Sequence, residues 1–557
     1  MRCLVLVLTL LLLPMASAQP TFVLHNARIY TVDADQPMAA AMAVEDGRIV
    51  AVGSEADMLD AYSDWPRMDA EGHTVVPGLI DAHAHLMGLG QFLTQVDLVG
   101  TNSKEEVLVR AQAFAETLPE GAWLMGRGWD QNDWPAAADG SYPFPTRSDL
   151  DTVFPDRPVW LRRVDGHAGW VNAAALRVVG IDPNALAPRS PLGGEILVDE
   201  AGRPSGIFLD EAESRLIEDL TPSPSPDELD ERLRRALERT ARFGLTGVHE
   251  AGIKPDTLAA YRRALKDGTF SIRNYAMIDG VGPLLNALCA EGLVQGEDDR
   301  LWVRALKLYA DGALGSRGAA LLAEYSDDPG NVGLLQFEPE VFQRIVTRAM
   351  QCGLQVNTHA IGDRGTRMVL DAYEAAITET GGGPGRHRIE HAQIVALEDI
   401  PRFAELGLIA SMQPTHATSD MPWAEDRVGA ERIQGAYAWQ RFREAGVPLA
   451  LGSDFPVEQV NPLLGFYAAV TRQDPNGEPP DGWMPDQRLT REEALRGFTL
   501  DAAYAAFMED EVGSLEPGKW ADFVLLSHDI MTVPAEQILA TEVIATVLGG
   551  EVIYSAD

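Results

Sequence analysis

The chain has 557 residues, 46% of them hydrophobic and 23% charged, and 45 Lys and Arg against 83 Asp and Glu leave a formal net charge of −38 at pH 7. Such a length excludes a single minimal domain and fits roughly two to four units, or one large barrel with additions. The acidic excess repels nucleic acid and anionic membrane surfaces, so neither is expected as a partner.

The first 18 residues have the layout of a secretory signal. They read MRCLVLVLTLLLLPMASA, a short basic start followed by an apolar stretch and three small residues. We expect cleavage before Gln19 and a periplasmic or secreted mature protein. No stable membrane anchor is expected afterwards, because the apolar stretch is shorter than the roughly 20 residues of a span. Cys3 leaves with the signal, and Cys289 and Cys352 are predicted to be buried thiols.

Strand-like patterns occupy both ends of the chain. Residues 21–76 alternate short apolar runs with turns, and the same pattern returns in GKWADFVLLS (518–527) and VIATVLGGEVIYSA (543–556). We therefore expect residues 19–76 and 501–557 to build one small β-sandwich domain together.

The middle of the chain, residues 77–500, alternates strands and helices. Its best-marked helix follows Ser225, the predicted N-cap, with Glu228 completing a capping box and Gly244 beyond its end. Thr490 and Glu493 form a second such box. About eight strand–helix units predict an α/β fold, a (β/α)8 TIM-like barrel. The Trp-, Pro- and Gly-rich residues from about 119 to 230 are predicted to be an insertion near the barrel mouth.

Polar residues end several of the predicted barrel strands. His83 and His85, in GLIDAHAHLMG (78–88), are two residues apart and so point the same way, as a pair of zinc ligands would. Alone, the pair is equally explained by half-buried histidines bonded to the backbone. His359, His391 and Asp454 also follow apolar strands, and the carboxyl ends of barrel strands carry the active site.

Lys307 ends another such strand, VRALKLYADG (303–312). A protonated lysine would be repelled by metal ions. We expect it to be N6-carboxylysine, the anionic carbamate formed with carbon dioxide, which can bridge two cations. The alternative is a lysine paired with Asp311.

Seven segments together resemble the amidohydrolase superfamily, in particular its amidohydrolase-3 branch, which includes N-substituted formamide deformylases. They are NARIYTVDAD (26–35), VVPGLIDAHAHL (75–86), KLYADGALGSRGA (307–319), THAIGDRG (358–365), IEHAQ (389–393), GSDFPV (452–457) and LEPGKWADFVLL (515–526). The likeness covers nearly the whole mature chain.

The resemblance implies a site for one or two divalent metals, with zinc expected. His83, His85 and Asp454 would hold the more buried ion, His359 and His391 the second, and carboxylated Lys307 would bridge them. Asp454 would also take a proton from the attacking water and pass it to the leaving nitrogen.

The implied activity is hydrolysis of a non-peptide C–N bond in a small molecule, an N-acyl or N-formyl amine, by metal-activated hydroxide. Alternatives on the same site are a cyclic amidase, a deaminase or an esterase. A non-catalytic exported metal- or solute-binding protein is a further alternative. The oligomeric state, including a homo-oligomer, stays open.

Further residues are candidates for contacting the substrate. His167 is expected to steady the oxyanion as a second catalytic residue, and Arg317 to grip a carboxylate or carbonyl unless an acidic side chain pairs with it. The remaining candidates are aromatic or polar residues of the insertion or of strand ends, each with a structural packing role as an equal alternative, namely Trp129, Asp130, Asp165, Trp170, His249 and His416.

Overall fold

The computed structural model describes residues 20–137, 142–163, 168–191, 194–221 and 223–556. They divide into two compact units. The first includes the described parts of Met1–His85, Leu237–Pro255 and Leu265–Asp557, and the second those of Leu86–Ala236 and Asp256–Ala264. The predicted signal at residues 1–18 and the candidates Asp165 and His167 lie outside the described residues.

The described part of the first unit contains eight parallel strands, each hydrogen-bonded to the next in chain order. We number them β1 to β8: Leu79–Ala84, Leu245–Ile253, Arg273–Asp279, Leu301–Tyr309, Gln355–Ala360, Arg388–His391, Ile409–Met412 and Leu449–Leu451. The strand Val294–Glu297 pairs antiparallel with β4. Helices alternate with these strands along the chain, so the α/β barrel predicted from the sequence is confirmed.

The helices of the first unit include Pro283–Glu291, Pro339–Gln351, Asp363–Thr380, Ile400–Glu405, Pro414–Asp420, Ala424–Arg432, Trp439–Glu444, Pro462–Thr471, Arg491–Gly497 and Leu500–Ala505, while Pro226–Arg242 and Pro255–Lys266 belong largely to the second unit. Pro226–Arg242 begins with the predicted capping box. The Ser225 N–H donates to Glu228 Oε2 at 2.7 Å, and the Glu228 N–H donates to Ser225 Oγ at 3.2 Å. Thr490 and Glu493 make the same pair of bonds.

The first and last barrel strands are joined at their carboxyl ends. The Asp454 N–H donates to the His83 carbonyl at 2.8 Å. The Asp81 carboxylate accepts the Ser453 hydroxyl at 2.6 Å and the His83 N–H at 3.1 Å. A Cβ on Gly452 would lie 2.5 Å from Asp81 Oδ1, so only glycine permits this close approach. This seam nearly closes the barrel and brings the polar end of β1 beside Asp454.

The first unit has two further sheets, one that combines strands from both chain ends and one built from N-terminal strands alone. One has the order Glu551–Ser555, Val543–Leu548, Phe523–Leu526, Thr74–Pro77, Arg28–Tyr30 and Met38–Ala39. The other has the order Arg48–Gly53, Ala41–Glu45, Phe22–His25 and Arg67–Asp69. Leu24, Val44, Phe523 and Val547 are buried in one common core, so neither end completes this core alone.

The second unit has its own sheet and core. Its strand order is Gly194–Val198, Pro204–Asp210, Ala168–Val171, Val159–Arg163, Leu124–Trp129 and Val96–Asp97. Its helices include Leu86–Leu93, Lys104–Ala115, Arg147–Val153 and Ala173–Val178. The unit includes Val96, which pairs with Gly126, and Val107, which packs in the same core.

Cys289 and Cys352 form a disulfide, with their Cα atoms 4.9 Å apart. The prediction of two buried thiols is therefore wrong. Both residues are half-buried, on the helix Pro283–Glu291 and just after the helix Pro339–Gln351. Their apolar neighbours Leu288 and Met350 are buried, whereas the two cysteines remain partly exposed. Among the described helices, none has the length and apolar character needed to cross a membrane.

Candidate metal centre

The six predicted metal ligands converge at the carboxyl end of the barrel. His83, Lys307, His359 and His391 lie at or near the ends of β1, β4, β5 and β6, while His85 and Asp454 follow β1 and β8. Parallel strands in a barrel present their carboxyl ends on one side, which is why residues far apart in sequence meet here.

The distances between these side chains are short. Lys307 Nζ lies 3.2 Å from His83 Nε2, and Asp454 Oδ1 lies 3.2 Å from His85 Nε2 and 3.6 Å from His83 Nε2. The ring centres of His391 and His359 are 4.6 Å apart. The ligand atoms of His83, His391 and Asp454 all lie within 4.8 Å of one another, close enough to share one ion.

Burial sets the charge state of these groups. It lowers the pKa of His359 to about 4 and those of His83 and His391 well below their usual value, so the three rings are neutral near pH 7. Burial also lowers the pKa of Lys307. Burial opposes ionisation of Asp454, but the adjacent His85 imidazole and the other histidines hold its pKa well below the usual range. Neutral imidazoles and an ionised carboxylate are the forms that bind metal.

The residues present fit a divalent metal. Among the described residues, no group makes a hydrogen bond to the buried His359 Nε2 or to Asp454 Oδ1. An unpaired buried nitrogen or carboxylate oxygen is costly unless a cation or other partner satisfies it. Imidazole nitrogens and carboxylate oxygens are the donors that zinc accepts.

Two side chains orient the histidine rings. Glu390 Oε2 lies 2.5 Å from His83 Nδ1, and Gln413 Oε1 lies 2.7 Å from His391 Nδ1. Both oxygens are acceptors, so each Nδ1–H donates and each Nε2 keeps a free lone pair. Neither residue was predicted from the sequence, although a charged residue inside the buried strand IEH was a signal.

The main chain adopts the left-handed conformation at two of the predicted ligands. The φ angle is +73° at His391 and +64° at Asp454, values that side chains other than glycine rarely adopt. At His391 the regular alternation of the strand breaks, so Glu390 and His391 both face the site. Such strain persists where surrounding contacts impose it, and it is concentrated at functional sites.

A cavity of about 380 Å³ opens over the cluster. Its walls include several polar and aromatic residues, of which only His416 was predicted: Tyr309, Gln393, His416, Asp420, Trp423 and Glu458. His416 Nε2 lies 3.7 Å from Asp454 Oδ2. Tyr309 lies two residues after Lys307, the spacing that links His83 to His85, so the strand pattern could have identified it.

Two other candidates of the first unit are engaged elsewhere. His249 is buried inside the barrel, where its Nδ1 accepts from Arg388 at 2.9 Å. Arg317 forms a double hydrogen bond with Asp327, at 2.9 and 3.1 Å. Neither residue lines the described cavity, so these expected substrate contacts are replaced by structural pairings.

The candidates of the second unit have packing roles where they are described. Trp129 and Trp170 are fully buried in its core, with their ring centres 5.9 Å apart. Their indole N–H groups donate to the carbonyls of Leu161 and Thr146. They are therefore core residues and not the expected pocket wall. Asp130 is half-buried just after the strand Leu124–Trp129.

Comparisons with known proteins give a family and several relatives. A model described as the amidohydrolase family matches residues 67–554. Protein LONG AFTER FAR-RED 3 of Arabidopsis thaliana is 35% identical, over 98% of this chain and 93% of that protein. N-substituted formamide deformylase of Arthrobacter pascens is 30% identical, over 95% of this chain and 97% of that protein. The crystal structure of an uncharacterized metal-dependent hydrolase from Pyrococcus horikoshii superposes with a TM-score of 0.79 at 28% identity, covering 93% of this chain and 99% of that one.

Proposed function

This chain belongs to the amidohydrolase family and is a metal-dependent hydrolase, and from that premise we propose that it cleaves the C–N bond of an N-acyl or N-formyl amine. The observation that carries the proposal is the buried cluster of six ligand-type side chains beneath a cavity of about 380 Å³. A small molecule fits such a cavity. The likeness to N-substituted formamide deformylase over nearly the whole chain supports an amide as the substrate.

In this proposal His83, His85 and Asp454 would hold one divalent ion, and His359 and His391 a second. Zinc is the ion that the donors favour, and carboxylated Lys307 would lie between the two positions. Such ions, when bound, supply Lewis acidity toward a carbonyl oxygen and make water acidic enough to ionise near neutral pH.

Asp454 has the properties of the proton carrier. Its Oδ1 lies 3.2 Å from His85 Nε2 and 3.6 Å from His83 Nε2, inside the cluster that would hold the ion and its water. It can therefore accept a proton from the attacking water and deliver it to the leaving nitrogen. His416, 3.7 Å from Asp454 Oδ2, is placed to hold the substrate beside this carboxylate. His167 remains a predicted oxyanion contact.

We also propose that the protein is exported. The disulfide between Cys289 and Cys352 supports this, because disulfides persist in oxidising compartments. The signal-like composition of residues 1–18 is independent support.

A substrate screen combined with metal analysis tests the proposed activity. Purified protein is assayed on N-formyl amines, N-acyl amines, cyclic amides and esters, beside Asp454→Asn and the exposed-site control Asp510→Asn. We expect turnover of N-formyl or N-acyl amines, and a loss of about 10²–10⁴-fold in kcat for Asp454→Asn with at least one metal ion still bound.

The control should behave as wild type. Turnover confined to cyclic amides or esters would refute the amide assignment. Wild-type rates in Asp454→Asn would remove its role as proton carrier.

A further inference from the structure

The cavity wall beyond the metal ligands is acidic. Asp420 and Glu458 both line it, and both are half-buried. Among the described lining residues there is no arginine, and the only lysine is Lys307 at the base. A carboxylate on the substrate would therefore meet like charges here, whereas a cation would be attracted.

Two hydrogen bonds hold the Asp420 carboxylate in place through one of its two oxygens. Tyr437 Oη donates to its Oδ2 at 2.6 Å, and Gln393 Nε2 donates to the same atom at 2.8 Å. Neither bond uses Oδ1. The carboxylate of this lining residue is thus fixed in orientation by two donors to Oδ2.

Glu458 is oriented in a similar way. The Ser419 hydroxyl donates to its Oε1 at 2.5 Å, so Oε2 is the oxygen that can interact with a ligand. Ser419 and Asp420 are neighbours at the end of the helix Pro414–Asp420, which links the two carboxylates through one short segment.

An aromatic wall accompanies the carboxylates. Trp423 lines the same cavity and is half-buried. Arg427 lies 5.4 Å from the centre of its ring, but this guanidinium is paired with Asp327 and is not a lining residue. An indole beside two carboxylates is the combination that recognises quaternary or primary ammonium groups.

The helix Pro414–Asp420 sets the distance between the Asp420 carboxylate and His416, which lies beside Asp454. Asp420 follows His416 by four residues, so the two side chains lie on the same face about one turn, roughly 6 Å, apart. His416 lies beside Asp454. A cationic group two or three bonds from the amide nitrogen would reach Asp420 while the amide lies beside Asp454.

We propose that the preferred substrate is an amide whose amine part carries a positive charge, bound by Asp420, Glu458 and Trp423. This inference rests on the proposed function and adds the substrate class. The acidic wall then selects cationic over neutral and anionic amides by differential attraction.

Two isosteric substrates test the inference. N-[2-(trimethylammonio)ethyl]formamide and N-(3,3-dimethylbutyl)formamide have the same shape and differ in charge, and N-formyl-β-alanine supplies the anionic case. Should the screen identify another acyl group, it replaces formyl in all three. We expect kcat/KM for the cation to exceed that for the neutral isostere by about tenfold or more, with the anion the poorest substrate.

A matched pair of variants separates the cavity from the acidic surface in general. In Asp420→Asn combined with Glu458→Gln, the ratio of the two kcat/KM values should fall toward one. Glu405→Gln combined with Glu444→Gln removes the same charge from exposed helix positions and should keep the wild-type ratio. Equal rates for cation and neutral isostere, or equal ratios in both double variants, would overturn the inference while leaving amide hydrolysis intact.

A binding measurement decides the inference if no amide is turned over, the outcome that refutes the proposed function. Calorimetry then compares choline with its neutral isostere 3,3-dimethylbutan-1-ol on wild type and both double variants. We expect choline to bind more tightly, by about tenfold, and to lose this advantage only in the cavity variant. Equal binding of the two compounds would refute the preference for a cationic substrate, whether or not any amide is turned over.

Discussion

Lys307 is the residue whose chemical state matters most to the site. Its side chain is buried, with Nζ 3.2 Å from His83 Nε2 and 4.8 Å from the centre of the Tyr309 ring. Burial lowers its pKa and so raises the fraction of neutral amine, the form that reacts with carbon dioxide. The alternative partner, Asp311, instead accepts the N–H groups of Ala320, Ile361 and Gly362.

Replacing Lys307 tests the carbamate bridge. Lys307→Ala should lose bound metal and activity, because the anion between the two ion positions disappears, and added short carboxylates should restore part of both. Metal content by mass spectrometry and turnover are measured beside Lys266→Ala, a change at an exposed helix position. Metal content equal to that of wild type in Lys307→Ala would exclude the bridge.

The six ligand positions could be predicted from single residues because each ends or follows an apolar strand. The residues that orient these side chains could not be predicted in this way. Glu390 and Gln413 contact His83 and His391 across gaps of 307 and 22 residues, and no local pattern encodes such pairs. Arg317 was predicted from the sequence as a substrate contact, but it pairs with Asp327. The sequence offers many acidic residues and does not show which of them becomes the partner.

Among the secondary-structure elements, the ends of β1 and β6 are coupled across the barrel. Glu390 on β6 lies 2.5 Å from His83 Nδ1 on β1, and both side chains are fully buried. A carboxylate at Nδ1 fixes the ring and makes Nε2 more basic. Glu390 is therefore a positioning residue, acting through His83.

Glu390→Gln should weaken metal binding by about 10–100-fold, because an amide orients the ring less firmly and adds no negative charge. Competition with a chelator measures the affinity, and thermal unfolding of the metal-free protein shows whether the fold is preserved. Glu379→Gln, at an exposed helix position, is the control. A change in stability without a change in metal affinity would contradict the positioning role.

The starts of two helices could be predicted from the sequence, whereas the extent of the second unit could not. The capping boxes at Ser225 and Thr490 are local, so residues three apart suffice to recognise them. The sheet of the second unit includes Val96, which pairs with Gly126 across an intervening helix, and no local pattern of the sequence marks such a pairing.

At the scale of the whole molecule, the disulfide joins segments 63 residues apart in sequence. Cross-linking a loop of this length restricts the unfolded chain and stabilises the fold by about 4 kcal/mol in the chain-entropy model. Local sequence around each cysteine does not specify its partner, which is why free thiols were expected.

Removing the disulfide should lower the free energy of unfolding by roughly 2–5 kcal/mol. Cys289→Ser combined with Cys352→Ser is compared with oxidised and reduced wild type by denaturant unfolding, and thiols are counted in the unfolded mature protein. Reduced wild type should match the double variant. Two free thiols in the oxidised protein, or equal stability of all three forms, would show that the bond is absent in solution.

The sequence by itself predicted the class of fold, which the structure confirms, and six candidate ligand positions, because strand periodicity and the polar residue at each strand end are local properties of the chain. Only the tertiary structure decided the Glu390 and Gln413 supports, the disulfide and the acidic cavity wall. Each of these depends on side chains that meet through folding, and short-range patterns contain no information about which distant residues become neighbours.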